Sequence, residues 1–396
     1  MRIGLLTDVY TPVVNGVTNF IRLHKRELER RGHEVWVFTP GHTDYQDDEP
    51  RVVRSKAFPL SDTGYHLSFG YDRRTRRILR EMDILHAQHP FLSGIIAAAF
   101  GQRYDIPVVF TNHTRYDLYA QQYLPLVPPS LSETFLETFF PAFTQRCDLV
   151  IAPSQGIYDL LRSWGTRCRI EIVPNGIDVE AFRQPVVRHR RAEVGIPEDA
   201  RVAVFVGRMS GEKNVAFLLR AFAPVAQEVP YAHLLLIGGG PRLEEYRSLA
   251  SELGVDARVH FTGQVPYKEI PGYLALADFF ATASISEVHP LTVLEAIAAG
   301  LPVLGIHSPG IADSIEHGYN GLLAQEDPIA FALKMARLFQ DDDLRERLGQ
   351  GARESGERYS ITRTTEHILE LYQELIAAKR RSKRVFSLAP RLPSLQ

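Results

Sequence analysis

The sequence predicts an α/β protein made of two Rossmann-like halves, each with a parallel sheet. Three observations carry this. Short apolar runs rich in Val, Ile and Leu alternate with longer stretches of helical period, as in βαβ units whose strands are buried on both faces. The 396 residues suffice for two cores. A second series of the same kind starts after a polar stretch crowded with turn formers, between Pro174 and Pro185.

In chain order, Ile3 to Leu6 is an apolar run and hence a strand, Val17 to Arg30 has helical period, and Glu34 to Phe38 is again a strand. Strand Ile84 to Ala87, helix Ser93 to Gln102, strand Val108 to Thr111, helix Ser130 to Arg146 and strand Leu149 to Ala152 complete the first half, residues 1–178. Phe91 to Phe100 is the longest apolar stretch; it is too short to span a bilayer and reads as a buried helix. Neither period persists through the break at 174–185, where the hinge is placed. Strand Val202 to Val206, helix Asn214 to Glu228, strand Leu234 to Ile237, helix Leu243 to Leu253 and strands Val259 to Phe261 and Phe279 to Ala281 then build the second half, residues 186–360. The last helical pattern, Thr362 to Ala378, outlasts the second sheet and is free to pack on either half. Residues 379–396, opening with Lys379-Arg380-Arg381-Ser382-Lys383-Arg384, read as a mobile basic tail.

With 45 Lys+Arg against 47 Asp+Glu and 45% hydrophobic residues, the chain is neither a wholly basic nucleic-acid binder nor disordered. No nucleic-acid partner is expected. Two cysteines, Cys147 and Cys168, are too few for a disulfide framework or a cysteine-ligated zinc and suit the reducing cytoplasm. Asp8 falls where a signal peptide would continue its apolar core, so the N-terminus reads as a strand.

Ligands of open α/β sheets bind beyond the carboxyl ends of the strands, which directs attention to four loops. In Pro12-Val13-Val14-Asn15-Gly16-Val17, Gly16 lets backbone approach a ligand at the start of a helix; a plain βα turn has the same appearance. Gly207-Arg208-Met209-Ser210-Gly211-Glu212-Lys213 sets a guanidinium and an ammonium five residues apart, suited to the two phosphates of a nucleoside diphosphate or, more simply, to surface ion pairs. Gly238-Gly239-Gly240 is a third phosphate-facing loop. It lacks the spacing of G-x-G-x-x-G, and no G-x-x-x-x-G-K-[ST] occurs, which disfavours a dehydrogenase or a P-loop enzyme.

The fourth loop carries Glu287, followed eight residues later by Glu295 about a turn and a half into the next helix. Carboxylates accept from vicinal hydroxyls, so Glu287 is placed on a sugar and Glu295 on a ribose. An amphipathic helix with an incidental Glu is the plainer alternative.

With these residues, the chain resembles the retaining glycosyltransferases of family four, of GT-B architecture: two facing Rossmann-like domains with a cleft between them. The resemblance reaches to about Ala378. It implies a nucleotide-sugar donor, with Arg208 and Lys213 on the diphosphate, Glu287 on the donor sugar and Glu295 on the ribose. Gly16, Gly207 and Gly239 would line the donor, and His113 would face the reacting sugar. The family's usual Gly after the first Glu is replaced by Val288-His289-Pro290. Backbone amides of His289, Leu291 and Thr292 are still assigned to the donor, whereas Pro290 has none to offer. No metal or other cofactor is implied, because Arg208, Lys213 and helix ends take the place of a cation.

Tyr116, Tyr119 and Tyr123 form an aromatic stripe at helical spacing after His113-Thr114. Core packing explains such a stripe, but it also resembles family members that glycosylate diacylglycerol, so with Asn15 these tyrosines are assigned to the acceptor. Arg73, Arg74, Arg76, Arg77 and Arg80 lie on a segment that also carries Ile78, Leu79 and Met82. This is either a solvated helix face or an anionic-membrane contact, and phosphatidylinositol mannosyltransferases are similar in carrying a basic patch there. The expectation is a peripheral enzyme on the inner face of the cell membrane, moving glucose from UDP-glucose to a lipid such as 1,2-diacylglycerol. A soluble saccharide or small alcohol as acceptor, a nucleotide-sugar 2-epimerase and a sugar-binding protein are the alternatives.

Overall fold

The computed structural model describes residues 1–13, 15–59, 66–67, 71–118 and 129–388. The chain divides into two compact units, Met1–Pro174 with Thr362–Gln396, and Asn175–Ile361.

The first unit contains β1 (Arg2–Leu6), β2 (Glu34–Pro40), β3 (Val52–Ser55), β4 (Phe58–Pro59), β5 (His66–Leu67), β6 (Ile84–Ala87), β7 (Val108–Thr111), β8 (Leu149–Ala152) and β9 (Ile170–Ile172). Seven of these form a parallel sheet in the order β3-β2-β1-β6-β7-β8-β9, while β4 and β5 pair antiparallel. The strand order reverses between β1 and β6, and a crevice opens at such a switch point. The second unit has a parallel sheet ordered β12-β11-β10-β13-β14-β15, built from β10 (Arg201–Val206), β11 (Ala232–Ile237), β12 (Val259–Gly263), β13 (Phe279–Thr282), β14 (Val303–Ile306) and β15 (Gly321–Ala324). Every residue of β6, β7, β8, β11, β13 and β14 is buried, as expected of parallel strands covered on both faces. The strands absent from the sequence reading are β3, β4, β5, β9, β14 and β15, none longer than four residues.

Two expectations are corrected. The helix Leu92–Tyr104 is not buried all round: Phe91 just before it and Ile95 within it are 37% and 46% exposed. Its small residues Ser93, Gly94, Ala97, Ala98 and Gly101 face inward instead. A Cβ on Gly94 would stand 2.6 Å from the His89 carbonyl oxygen, and one on Gly101 2.2 Å from Val108. So close an approach to the sheet leaves room for no bulk on the inner face. The second correction concerns the tail, where the last helix spans Ile361–Leu388. Lys379 pairs with Asp148 at 3.0 Å and Arg380 with Asp83 at 3.4 Å, so the tail's opening residues are helical and ion-paired within the first unit.

That helix is tied to the first sheet by a buried polar chain. The Tyr372 hydroxyl lies 2.5 Å from His86 Nδ1, and His86 Nε2 lies 2.7 Å from Thr111 Oγ1. His24 Nδ1 is 2.9 Å from Thr365 Oγ1. Burial lowers His24 to about 3 and His86 well below its usual value, so both rings are neutral. A donating Tyr372 hydroxyl leaves His86 Nε2–H to donate to Thr111, so each proton of the chain has an acceptor. Among the described residues, no helix is long and apolar enough to cross a membrane.

Candidate active site

In the second unit the functional side chains gather at the carboxyl ends of β10 and β13, on either side of that sheet's switch point. After β10 the chain passes through Gly207 and Arg208 into a short 3-10 turn, Gly211–Lys213, and then the helix Val215–Glu228. Arg208 is exposed and has no side-chain partner among the described residues. Lys213 Nζ donates to Glu287 Oε1 at 2.5 Å, and Ser284 Oγ donates to the same oxygen at 2.7 Å. The Lys213 and Glu287 side chains are 25% and 14% exposed, sheltered but open to a ligand. Glu287 thus presents a carboxylate with one oxygen fixed by two donors, leaving Oε2 to accept from a hydroxyl.

The glycine triplet also has a packing role that the sequence reading did not include. A Cβ on Gly238, at φ +136°, would stand 1.9 Å from the Gly207 carbonyl oxygen, and one on Gly240, at φ +158°, 2.5 Å from that of Met209. Met209 N–H donates to the Gly239 carbonyl at 2.9 Å. The triplet lets the loop after β11 close on the loop after β10, and so shapes the Arg208 turn; the sequence shows the glycines but not what they touch.

Leu291 and Thr292 begin the helix Leu291–Ala298, where first-turn amides have no helical acceptor. Leu291's side chain is buried, so it offers only its backbone. Glu295, expected to meet a ribose, is 2% exposed and accepts a 2.8 Å hydrogen bond from the Tyr267 hydroxyl. Burial raises its carboxyl to about 7, against the opposing hydrogen bond from Tyr267. His289's side chain is turned away from solvent: its Nδ1 accepts from Asn175 N–H at 3.2 Å, and its ring meets Tyr359 at 5.5 Å between centroids. The expected donor contact of His289 is therefore limited to its backbone.

In the first unit the switch-point loops follow β1, β6 and β7. His113 Nε2 donates to Gln88 Oε1 at 2.8 Å, and its ring lies 5.2 Å from that of Phe20. Burial, then the neighbouring His89 and His24, lower its imidazole to about 3, so His113 is neutral, with the Nδ1 lone pair not used by Gln88. Asp8 Oδ1 accepts from Ser93 N–H at 2.7 Å, and Asp8 N–H donates to His89 Nδ1 at 3.2 Å. Gly16 is exposed at the start of the helix Gly16–Arg30. Asn15, assigned to the acceptor, is this helix's N-cap: its Oδ1 accepts from Thr18 N–H at 2.9 Å, which commits that oxygen to the backbone. The preceding loop is clamped by two residues the sequence did not single out. Arg54 Nη2 donates to the Thr11 carbonyl at 2.7 Å, and Asp47 holds the same guanidinium through Oδ1 at 2.6 Å and Oδ2 at 2.9 Å.

Tyr116 is a correction to the acceptor assignment. It is 6% exposed, with its ring 5.2 Å from Phe91 and 5.8 Å from Phe140, so it belongs to the core. Tyr119 and Tyr123 lie outside the described residues. Arg73, Arg74, Arg76, Arg77 and Arg80 are all exposed, while Thr75 and Leu79 anchor the inner side of the helix Arg73–Leu79. The same unit exposes apolar bulk: Phe135 at 53% and Leu131 at 61%, with Phe139 5.5 Å from the rings of both Phe135 and Phe91.

Comparison with known proteins identifies these two units. Residues 14–181 match the family model described as Glycosyltransferase Family 4, and residues 187–355 that of Glycosyl transferases group 1. The chain is 32% identical to the alpha-monoglucosyldiacylglycerol synthase of Streptococcus pneumoniae over 334 residues, which cover 82% of this chain and 75% of that one. It is 28% identical to a D-inositol 3-phosphate glycosyltransferase of Corynebacterium jeikeium, across 97% and 99% of the two chains. In fold it is similar to Anabaena HepE, solved with UDP and glucose, at a TM-score of 0.76 and 20% identity over 94% of this chain and 100% of that one. The chain belongs to glycosyltransferase family four and has the GT-B fold.

Proposed function

We propose that the chain is a retaining, metal-independent hexosyltransferase that moves glucose from UDP-glucose to a membrane lipid such as 1,2-diacylglycerol. The Lys213–Glu287–Ser284 constellation carries this reading, because it joins a cation suited to a diphosphate with a fixed carboxylate suited to sugar hydroxyls. In the proposed reaction an acceptor hydroxyl oxygen bonds to the anomeric carbon as the carbon–oxygen bond to the diphosphate breaks. The electron pair leaves with UDP, and the acceptor proton passes to the departing phosphate oxygen. Arg208, Lys213 and the first-turn amides of Leu291 and Thr292 offset the charge that develops there, a role a divalent ion takes elsewhere.

The lipid acceptor is supported by the name of the Streptococcus relative and by the surface of the first unit. Five exposed arginines on one short segment suit anionic headgroups, and the exposed Leu131 and Phe135, with half-buried Phe139 beside them, suit the acyl boundary. On this reading the enzyme works at the inner face of the cell membrane. The Corynebacterium relative's name favours a second reading, a soluble inositol phosphate as acceptor.

The test is UDP release from UDP-glucose with EDTA present, comparing diacylglycerol in anionic mixed micelles, the same lipid in neutral micelles, and inositol phosphate. Release that requires the lipid and is faster on anionic micelles is expected. Release driven by inositol phosphate and indifferent to lipid would overturn the lipid acceptor, and no release under any condition would overturn the transferase.

A further inference from the structure

The segment Val288-His289-Pro290, which departs from the family's usual pattern, lies on the loop that presents Glu287. That loop is restrained at three places. Ser308 Oγ donates to the Ser284 carbonyl at 2.9 Å. Gly310, at φ +77°, lies so close that a Cβ there would be 2.5 Å from the Glu287 carbonyl oxygen. The third restraint is His289, whose Nδ1 accepts from Asn175 N–H and whose carbonyl accepts from Asn175 Nδ2, each at 3.2 Å.

We propose that His289 is a positioning residue for the donor sugar: by bracketing Asn175 it fixes the backbone that aims Glu287. This rests on the donor reading above. Asn175 and His289 are 8% and 6% exposed, so an unmet N–H of Asn175 has no water to turn to. The Tyr359 ring packs against the imidazole, so aromatic bulk alone keeps the space filled. What only an acceptor at the Nδ1 position supplies is the pull on Asn175. Asparagine places its Oδ1 one atom beyond Cγ, as histidine places Nδ1, and so retains that acceptor. Phenylalanine retains the ring and loses it.

The experiment compares the wild-type chain with His289→Phe and His289→Asn, measuring equilibrium binding of UDP and of UDP-glucose, steady-state kcat and donor KM, and thermal unfolding. For His289→Phe, UDP-glucose affinity should fall by about 10-fold, the size of one lost buried acceptor, while UDP affinity stays within about 3-fold. His289→Asn should recover most of the loss. Equal UDP-glucose binding by wild type and His289→Phe would overturn the proposal. So would a loss shared equally by UDP and UDP-glucose, or one that His289→Asn fails to recover. A wild-type chain that binds neither UDP nor UDP-glucose would instead overturn the donor reading, and this proposal with it.

Discussion

Replacing Glu295 by glutamine removes a charge that the fold works against. The carboxyl is 2% exposed, and burial raises it from 4.5 to about 7. Below pH 4.5 it is protonated in both the folded and the unfolded chain, and its contribution to stability is fully present. As pH rises from 4.5 to 7 the unfolded chain ionises while the folded chain keeps its proton, so stability is lost; above 7 the loss is constant. A shift of about 2.5 units at about 1.4 kcal/mol each amounts to about 3 kcal/mol. Glu295→Gln keeps an oxygen for the Tyr267 hydroxyl and escapes that loss, so its advantage over wild type should grow by about 3 kcal/mol between pH 4.5 and pH 8. Both tryptophans, Trp36 and Trp164, belong to the first unit, so fluorescence reports the wrong half. Hydrogen exchange of peptides covering Leu291–Ala298, followed through a urea series at each pH, reports the second unit. At pH 8, where Glu295 is ionised, UDP affinity should fall in the same variant by about 10-fold, since a neutral amide replaces the charged acceptor proposed for the ribose. A stability difference that does not change with pH would refute the claim that this carboxyl is buried against its charge.

Three further outcomes follow from the geometry. Lys213→Ala should lower kcat/KM by about 10²-fold or more, through lost stabilisation of the leaving diphosphate, yet change stability by less than about 1 kcal/mol, because the pair with Glu287 is partly open to solvent; near-wild-type turnover would remove Lys213 from the site. Tyr372→Phe leaves the buried His86 Nδ1 without its donor and should weaken docking of the helix Ile361–Leu388 by about 1–3 kcal/mol, read as faster hydrogen exchange along it. Because His24 and His86 are both held below the ordinary histidine value of 6.5, the stability they contribute is present above 6.5 and lost as pH falls toward 3. Protection of that helix should therefore drop between pH 7 and pH 5 in the wild type; unchanged protection would refute the neutral-histidine account.

How far the fold was legible depends on how deeply each element is buried. β6, β7 and β8 are buried on both faces, and their apolar runs begin and end where the strands do. β9 alternates around Glu171 at the sheet edge, and β15 opens on Gly321, so neither carries the run that marks a strand. Helix Leu92–Tyr104 misled in the opposite direction: its inner face is made of Gly, Ala and Ser, which hydrophobicity scarcely registers, while its bulk points outward. Apolar content reports burial only where large side chains do the packing. Where backbone itself makes the contact, small residues are the sign.

The site divides along the same line. Lys213 and Glu287 could be singled out in the sequence because each stands on a loop beyond a strand end, and the fold carries those two loops to a shared hydrogen bond. Tyr116 was misassigned because an aromatic stripe looks alike whether it lines a groove or a core, and only its contacts with Phe91 and Phe140 decide. Tyr267, Gln88, Arg54 and Asn175 were not legible at all. Each acts on a residue far away in sequence, as Asn175 does on His289 across 114 positions, and no local period or spacing records such a pairing. The groups that would touch substrate thus carry local signatures, whereas the groups that aim them are ordinary residues made important by what the fold sets beside them. From sequence, the exchange of an expected glycine for Val288-His289-Pro290 reads as a change in the sugar pocket; in the structure the same segment also holds Asn175, through the ring and the carbonyl of His289.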